Sequence, residues 1–258
     1  MPAHAKPIIT LFYLALLSFH VVSQAQISLH SHNDYYQDIP FWRAMVAECR
    51  SVEIDVILSD NTLYVAHDSF EINAKRTFES LYVAPLGLAF KHDYTNAKNH
   101  EVDFQYLIDL KTSGLPTLRK VVDILEKYPE YFNPEVNSGA VKIVISGNVP
   151  GPEQINEFPT FIFFDLRHPD QFEEYQGRAG LISENFRKFS RWKGKGEPGE
   201  KEKKAIKAYV DACHKAGIPV RLWATPDTND AYEFLLQTGV NFINTDKPIE
   251  AALYLKMK

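Results

Sequence analysis

The segment from Leu29 to Asp34 carries two histidines, an asparagine and an aspartate directly after the short apolar run at 26–29. Burying so many polar groups would cost too much solvation, so these side chains are expected to line a site. Histidine can transfer protons near neutral pH or bind a metal ion. Its chemistry here depends on the later residues that complete the site.

Carboxylates recur in two later strand-like segments, 51–57 and 104–110. Glu53 and Asp55 are two residues apart, so both point to one face of a strand, about 6.6 Å apart along it. Asp109 could supply a third carboxylate from the next strand. Three facing carboxylates repel one another unless they are protonated or neutralised. A divalent cation solves this problem, and all-oxygen ligation favours Ca²⁺ or Mg²⁺ over zinc.

Two further kinds of side chain complete a set suited to a phosphodiester. Lys111 shares the face of Asp109, and His67 ends the strand-like run at 63–66. The cation and Lys111 would bind the non-bridging phosphate oxygens, while His67 and His32 would move protons to and from the bridging oxygens.

Several residues of this set have more than one interpretation. His30 could be a ligand, a substrate contact or a buried residue that orients His32. Trp223 could line the pocket or pack inside the fold, and Arg167 with His168 could contact substrate or only solvate a loop. Any one of these residues is more often structural, but their combination favours a site.

From Ile27 onward, β-branched runs alternate with amphipathic helical patterns. They predict strands at 27–30, 51–57, 63–66, 104–110, 140–145, 160–164, 179–183, 218–223 and 240–243, and helices at 40–49, 116–125, 200–216, 229–237 and 248–255. About eight strand–helix units imply a closed (β/α)8 TIM barrel, a single α/β domain over residues 26–258. The active site of such a barrel lies at the carboxyl ends of its strands, where the polar residues fall.

Residues 1–25 have the pattern of a secretory signal peptide. Lys6 precedes an apolar run at 7–22, and small residues, Ser23 and Ala25, occupy the positions that signal peptidase reads. The alternative is a retained membrane anchor, but the run is short for a span of about 20 apolar residues. We therefore predict cleavage near Ala25 and export to the periplasm or the extracellular space.

Composition limits the partners of the chain. It carries 28 basic and 33 acidic side chains, a net charge of −5, which argues against a nucleic-acid surface. The basic tract at 193–204 is interleaved with glutamates, as in a solvated loop. The apolar stretch at 81–90 could border a lipid site, so we expect at most transient contact with a membrane surface, and no obligate protein partner is evident.

Cys49 and Cys213 are the two cysteines of the chain. An exported protein could pair them. In the predicted barrel, however, they lie on helices at different sides of the ring. We therefore expect both to be free and buried.

The order of these motifs resembles the superfamily of glycerophosphodiester phosphodiesterases and phosphatidylinositol-specific phospholipases C. The residues that carry the resemblance are Val52–Val56, His67-Asp68, Ile108–Lys111, 218–224 and 239–248. It implies a phosphodiesterase barrel with His32 and His67 as the acid–base pair. It also implies Glu53, Asp55 and Asp109 as ligands of one divalent cation, Ca²⁺ or Mg²⁺.

Individual motifs indicate which members of this superfamily the chain resembles most. Ser31-His32-Asn33 is similar to the phospholipase C type, in which the asparagine is a further metal ligand, and Asp109–Thr112 is similar to sphingomyelinase D. The whole arrangement is most similar to the subgroup with the fungal "altered inheritance of mitochondria" proteins. We predict substrate contacts at Lys111, Asn33, His30 and Trp223.

The leading hypothesis is a secreted, metal-dependent phosphoric diester hydrolase acting on a glycerophosphodiester or a phospholipid headgroup. Two alternatives stay open at this point. His30-Ser31-His32 also fits the His-x-His motif of amidohydrolase-like or phosphatase-like metallohydrolase barrels, which need further histidines on later strands. The second alternative is a barrel that binds a phosphorylated headgroup without hydrolysing it. Such a protein, however, needs no second histidine.

Overall fold

The computed structural model describes residues 27–92 and 104–257, and these residues form an α/β barrel. Its nine strands are β1 (Ser28–Ser31), β2 (Ser51–Ser59), β3 (Thr62–Val65), β4 (Gln105–Leu110), β5 (Lys142–Gly147), β6 (Ile162–Leu166), β7 (Ala179–Asn185), β8 (Val220–Trp223) and β9 (Phe242–Thr245). Eight of them are parallel and run in the order β1-β9-β8-β7-β6-β5-β4-β2. Pairing of β1 with β2 closes the ring. The predicted (β/α)8 TIM barrel is confirmed.

The short strand β3 is an addition to this ring. It pairs antiparallel with the outer half of β2, with Val56 opposite Val65 and Ser59 opposite Thr62. The hairpin turns at Asp60 and Asn61, which both adopt positive φ angles, as these residue types tolerate. The hairpin returns the chain to the mouth of the barrel, so that His67 comes back beside β2.

Seven α-helices lie within the described residues: α1 (Trp42–Val46), α2 (Ala84–Lys91), α3 (Gly114–Leu125), α4 (Pro129–Phe132), α5 (Glu200–Lys215), α6 (Asn229–Thr238) and α7 (Pro248–Lys256). A π-helix, Glu79–Val83, leads into α2. The strand–helix alternation is less regular than the sequence pattern implied, because only 3₁₀ turns, Pro152–Glu157 and Pro169–Gln171, follow β5 and β6. The predicted helix at 40–49 shortens to α1.

Side-chain alternation divides the buried residues between two layers. Val52, Ile54 and Val56 of β2 pack with the helices in the large outer core. A second, smaller core fills the barrel interior, where Leu107, Val144 and Leu181 pack together with Phe163 and Phe242. Glu53 and Asp55 point to this interior, above its apolar floor.

The predicted free cysteines are confirmed, since Cys49 and Cys213 are both buried and unpaired. The apolar stretch at 81–90 lies in the π-helix and α2, where Tyr82, Leu86 and Ala89 are fully buried. No helix among the described residues is long and apolar enough to cross a membrane. The predicted signal peptide, residues 1–25, lies outside the described residues.

Candidate active site

Three carboxylates meet at the mouth of the barrel. Glu53 and Asp55 are on β2, and Asp109 on β4 is the register partner of Asp55. One oxygen from each of the three lies within 4.8 Å of the others. The structure therefore brings together the three residues predicted as metal ligands, and they could hold a cation.

Asp55 stands at the centre of this cluster. Its Oδ2 accepts hydrogen bonds from Tyr35 Oη at 2.8 Å, from His67 Nδ1 at 2.8 Å and from Lys111 Nζ at 3.0 Å. Its Oδ1 is buried and has no hydrogen-bond partner among the described residues. Burial, followed by the charge of Glu53, raises the pKa of Asp55. A buried carboxylate oxygen without a donor is costly, and a cation would satisfy it.

Asp109 completes the cluster beside Lys111, whose Nζ lies 3.2 Å from Asp109 Oδ2. Burial raises the pKa of Asp109 to about 6, with Lys111 opposing this shift and the charges of Asp55 and Glu53 adding to it. Gly147 at the end of β5 gives Asp109 its space, because a Cβ there would lie 2.0 Å from Asp109 Oδ1. The glycine also has a φ of +75°, which other L-residues rarely adopt.

We expect Gly147→Ala to displace Asp109 and to weaken binding of Ca²⁺ or Mg²⁺ more than tenfold. Gly196→Ala is the matched control, since Gly196 has a φ of +65° and open space around it. Both variants should lose about 1–2 kcal/mol of unfolding free energy from the left-handed backbone. Gly147→Ala should lose more, because its Cβ would also lie 2.7 Å from Leu110 O and 2.9 Å from Leu110 N. Titration calorimetry with each cation separates the two effects, and equal affinities in the two variants would contradict the role given to Gly147.

His67 and His32 flank the cluster. The Nδ1 of His67 lies 2.8 Å from Asp55 Oδ2, and the Nδ1 of His32 lies 2.7 Å from Asp246 Oδ1. The side chains are 47% and 24% exposed. Neither Nε2 has a hydrogen-bond partner among the described residues. A carboxylate on Nδ1 fixes the orientation of each ring and leaves Nε2 to meet a substrate.

Asp246 sets the proton affinity of His32. Burial lowers the pKa of His32, but the hydrogen bond to Asp246 and the charge of Glu53 outweigh it, so the net shift is upward. A pKa that is higher in the folded than in the unfolded state stabilises the folded protein. This contribution is fully present below the ordinary histidine pKa of about 6.5, and it is lost as the pH rises through the folded-state pKa. At neutral pH, His32 is therefore more protonated than an ordinary histidine.

We expect Asp246→Asn to lower the pKa of His32, because the amide no longer stabilises the imidazolium. An NMR titration of the His32 ring protons measures this change. Asp170→Asn is the control, since Asp170 pairs instead with His168, at 3.1 Å. An unchanged His32 pKa in Asp246→Asn would show that this pair does not set it.

His30 lies below the mouth and is fully buried. Its Nδ1 lies 2.7 Å from Ser51 Oγ, and its Nε2 lies 3.0 Å from Glu53 Oε2 and 2.5 Å from Arg221 Nη1. Burial, followed by the charge of Arg221, lowers the pKa of His30 to about 3, so the ring is neutral. Of its three predicted roles, the position favours that of a buried orienter, although the residue it orients is Glu53 and not His32.

Arg221 is the main partner of Glu53, with Nη1 2.5 Å from Glu53 Oε2. Burial opposes ionisation of Glu53, but Arg221 and His30 outweigh it and hold the pKa of Glu53 well below its usual range. Arg221 also donates to Ser183 Oγ at 3.1 Å and to Asn244 Oδ1 at 3.2 Å. The guanidinium beside His30 disfavours a metal ion at a His30–His32 pair.

The loop after β1 is held by Asp34. Its carboxylate accepts from Ser31 Oγ at 2.7 Å, Phe41 N at 2.6 Å and Tyr82 Oη at 3.0 Å. These bonds fix the turn in which Asn33 has a φ of 44°. Asn33 lines a cavity beside His32.

The other predicted contacts lie at the same end of the barrel. Lys111 touches Asp55 and Asp109, as described. Trp223 is half-buried at the end of β8, two residues after Arg221 and so on the same face of the strand. Arg167, at the end of β6, pairs with Asp165 at 2.8 Å.

No sequence pattern assigned an individual role to Tyr35, Gly147, Arg221 or Asp246. One signal was available for Arg221: it is a charged residue inside an otherwise apolar strand pattern, as Glu53 is. Tyr35 and Gly147 act through contacts between distant segments, which spacing along the chain does not show.

The parallel barrel and the carboxylates at its mouth agree with the superfamily that the order of the sequence motifs resembles, that of glycerophosphodiester phosphodiesterases and phospholipases C. The AIM6-like phosphodiesterase domain matches residues 20–165, more than half of the chain, so the chain belongs to this family. The superfamily resemblance is thereby confirmed.

Curated relatives agree with this family. The chain is 28% identical over 263 residues to the "Altered inheritance of mitochondria protein 6 homolog" of Arthroderma benhamiae, which covers 85% of this chain and 81% of the relative. It is 24% identical over 294 residues to "Altered inheritance of mitochondria protein 6" of Kluyveromyces lactis, covering 85% and 70%.

Solved structures share the fold. A glycerophosphodiester phosphodiesterase from Parabacteroides distasonis superposes with a TM-score of 0.55 at 17% identity, covering 90% of this chain and 98% of that one. An enzyme of the same name from Agrobacterium tumefaciens superposes with a TM-score of 0.53 at 14% identity, covering 90% of this chain and 99% of that one. At this identity the likeness shows the barrel alone.

Proposed function

We propose that this phosphodiesterase-family protein is an exported, metal-dependent phosphoric diester hydrolase that uses His32 and His67 for general acid–base catalysis. The substrate class is a glycerophosphodiester or a phospholipid headgroup. One observation carries the proposal: two histidines, each oriented by a carboxylate on Nδ1, flank a carboxylate cluster in which Asp55 Oδ1 lacks a donor.

The residues present fit a hard divalent cation. The cluster consists of carboxylates alone, the buried Asp55 Oδ1 is unpartnered, and Gly147 keeps space beside Asp109. Glu53, Asp55 and Asp109 would hold Ca²⁺ or Mg²⁺. When bound, the cation would neutralise charge that develops on the non-bridging phosphate oxygens.

The chain's own residues divide the remaining work. Lys111, fixed between Asp55 and Asp109, presents a positive charge that attracts a phosphate. His32, whose pKa is raised, is suited to donate a proton to the leaving oxygen, and His67 accepts one from the attacking oxygen. The attacking group is either water or a neighbouring substrate hydroxyl, and the second route gives a cyclic phosphate.

Hydrolysis assays test this proposal directly. The chain is offered glycerophosphodiesters, phosphatidylinositol, lysophospholipid and sphingomyelin, before and after chelation of divalent cations. We expect turnover of at least one substrate, its loss on chelation, and its return with Ca²⁺ or Mg²⁺. Tight binding of one headgroup without turnover of any substrate would favour a binding protein instead.

Export is a separate part of the proposal, supported by Lys6, the apolar run at 7–22 and the small residues up to Ala25. Amino-terminal sequencing of the protein recovered from its native host tests it. We expect the mature chain to begin near residue 26. An amino terminus at Met1 in a membrane fraction would indicate a retained anchor.

A further inference from the structure

A polar cavity of about 390 Å³ adjoins His32, and its lining does not include Glu53, Asp55 or Asp109. It lies between the loop after β1 and the loop after β9, and Asn33, Gln37, Arg43 and Asp246 are among its lining residues. In the proposed chemistry His32 and Asp246 already have a task. Arg43 has none.

Arg43, on α1, is the unusual member of this lining. Its Nε is buried and has no hydrogen-bond partner. Among residues 27–92 and 104–257, no carboxylate forms an ion pair with its guanidinium. The side chain as a whole is half-buried and lines the cavity. Its guanidinium is therefore accessible from the cavity and could meet an acceptor that a ligand brings.

Of the two acidic residues in this lining, the one that contacts His32 is already engaged. Asp246 binds His32 through Oδ1 at 2.7 Å, and its carbonyl oxygen accepts from Gln37 Nε2 at 2.9 Å. Asp38 also lines the cavity but is exposed. The guanidinium of Arg43 thus remains as a cationic fork, a geometry that matches the two oxygens of a carboxylate or phosphate.

We propose that this cavity receives the leaving-group portion of the substrate, and that Arg43 selects a leaving group carrying an oxyanion. The inference rests on the proposed function, because His32 lines the cavity and is assigned the proton transfer to the leaving oxygen. The alcohol attached to that oxygen would extend past His32 toward Arg43. Either a carboxylate or a second phosphate on that alcohol would supply the oxyanion.

Binding of matched probe pairs tests this inference in the His67→Asn protein, which retains the cavity and turns over slowly. Glycerophosphoserine and glycerophosphoethanolamine differ by one carboxylate, and glycerophosphoglycerol with or without a terminal phosphate differs by one phosphate. Titration calorimetry with Ca²⁺ or Mg²⁺ present should give about tenfold tighter binding for at least one anionic member. The pair that shows the difference identifies the source of the oxyanion.

Variants assign the selectivity to Arg43. Arg43→Met should abolish the difference within the pair without changing the Kd of the non-anionic member, and Arg43→Lys should retain part of it. Arg119→Met, which removes an exposed guanidinium paired with Glu157, should leave both affinities unchanged. Equal affinities within both pairs, no binding of any probe, or an equal loss for both members in Arg43→Met would overturn the inference.

A parallel hydrolysis assay distinguishes failure of this inference from failure of the proposed function. Hydrolysis of glycerophosphoethanolamine and glycerophosphoserine by the unaltered protein is measured in parallel. Selective binding without hydrolysis of any diester contradicts the phosphodiesterase proposal and leaves the Arg43 cavity standing. Hydrolysis without selectivity contradicts the role of Arg43 alone.

Discussion

Replacement of His67 by asparagine is expected to lower kcat for phosphodiester hydrolysis by about 10²–10⁴-fold. The asparagine amide can still donate to Asp55 Oδ2 in place of Nδ1, which lies 2.8 Å away, so the carboxylate cluster should keep its arrangement. The variant lacks the Nε2 that would exchange the proton. Steady-state kinetics on the best substrate of the panel give the size of the loss.

His32→Asn should show a similar loss, because its amide can likewise replace Nδ1 beside Asp246. His168→Asn is the control, since that exposed histidine lies in the loop after β6 and has no role in the proposal. Circular dichroism and melting curves must show that the variants are folded. Turnover close to that of the unaltered protein in both His32→Asn and His67→Asn would contradict the acid–base assignment.

Arg221→Met is expected to have the largest effect on stability. Arg221 and Glu53 are both buried and lie 2.5 Å apart. Removing the guanidinium leaves the Glu53 carboxylate buried without its cation, which costs about 3–5 kcal/mol in comparable pairs. Denaturant unfolding measures this loss, and a domain of this size should show a fall in Tm of roughly 10 °C.

A double-mutant cycle shows whether the unpaired Glu53 carboxylate causes this loss of stability. Glu53→Gln combined with Arg221→Met should recover part of the stability, because a neutral side chain needs no counterion. Arg119→Met breaks an exposed pair with Glu157 and should cost less than about 1 kcal/mol. Equal losses in Arg221→Met and Arg119→Met would show that the buried pair contributes little.

The barrel could be predicted from the sequence because its strands have clear hydrophobic patterns. Segment 51–57 alternates so regularly that the inward position of Glu53 and Asp55 follows from a period of two, and strand–helix succession then dictates a parallel ring. The same logic places Asp109 and Lys111 on the next strand at the same end. The structure brings these side chains together as that pattern requires.

The second half of the site depends on contacts that no local pattern encodes. His32 is 214 positions from its partner Asp246, and Arg221 is 168 positions from Glu53. Such pairs form only when β1 closes against β9 and β8 faces β2 across the barrel. For the same reason, the sequence left the role of His30 open: its buried position follows from Ser51, Glu53 and Arg221 together.

Phosphorus-31 NMR of a glycerophosphodiester incubated with the protein tests the central claim most directly. In ¹⁸O-labelled water with Ca²⁺ or Mg²⁺, the diester resonance should give way to a monoester carrying the label, or to a cyclic phosphate. Chelation, His32→Asn and His67→Asn should each preserve the diester signal. A diester signal that persists with the folded, unaltered protein across the substrate panel and with either cation would contradict the account.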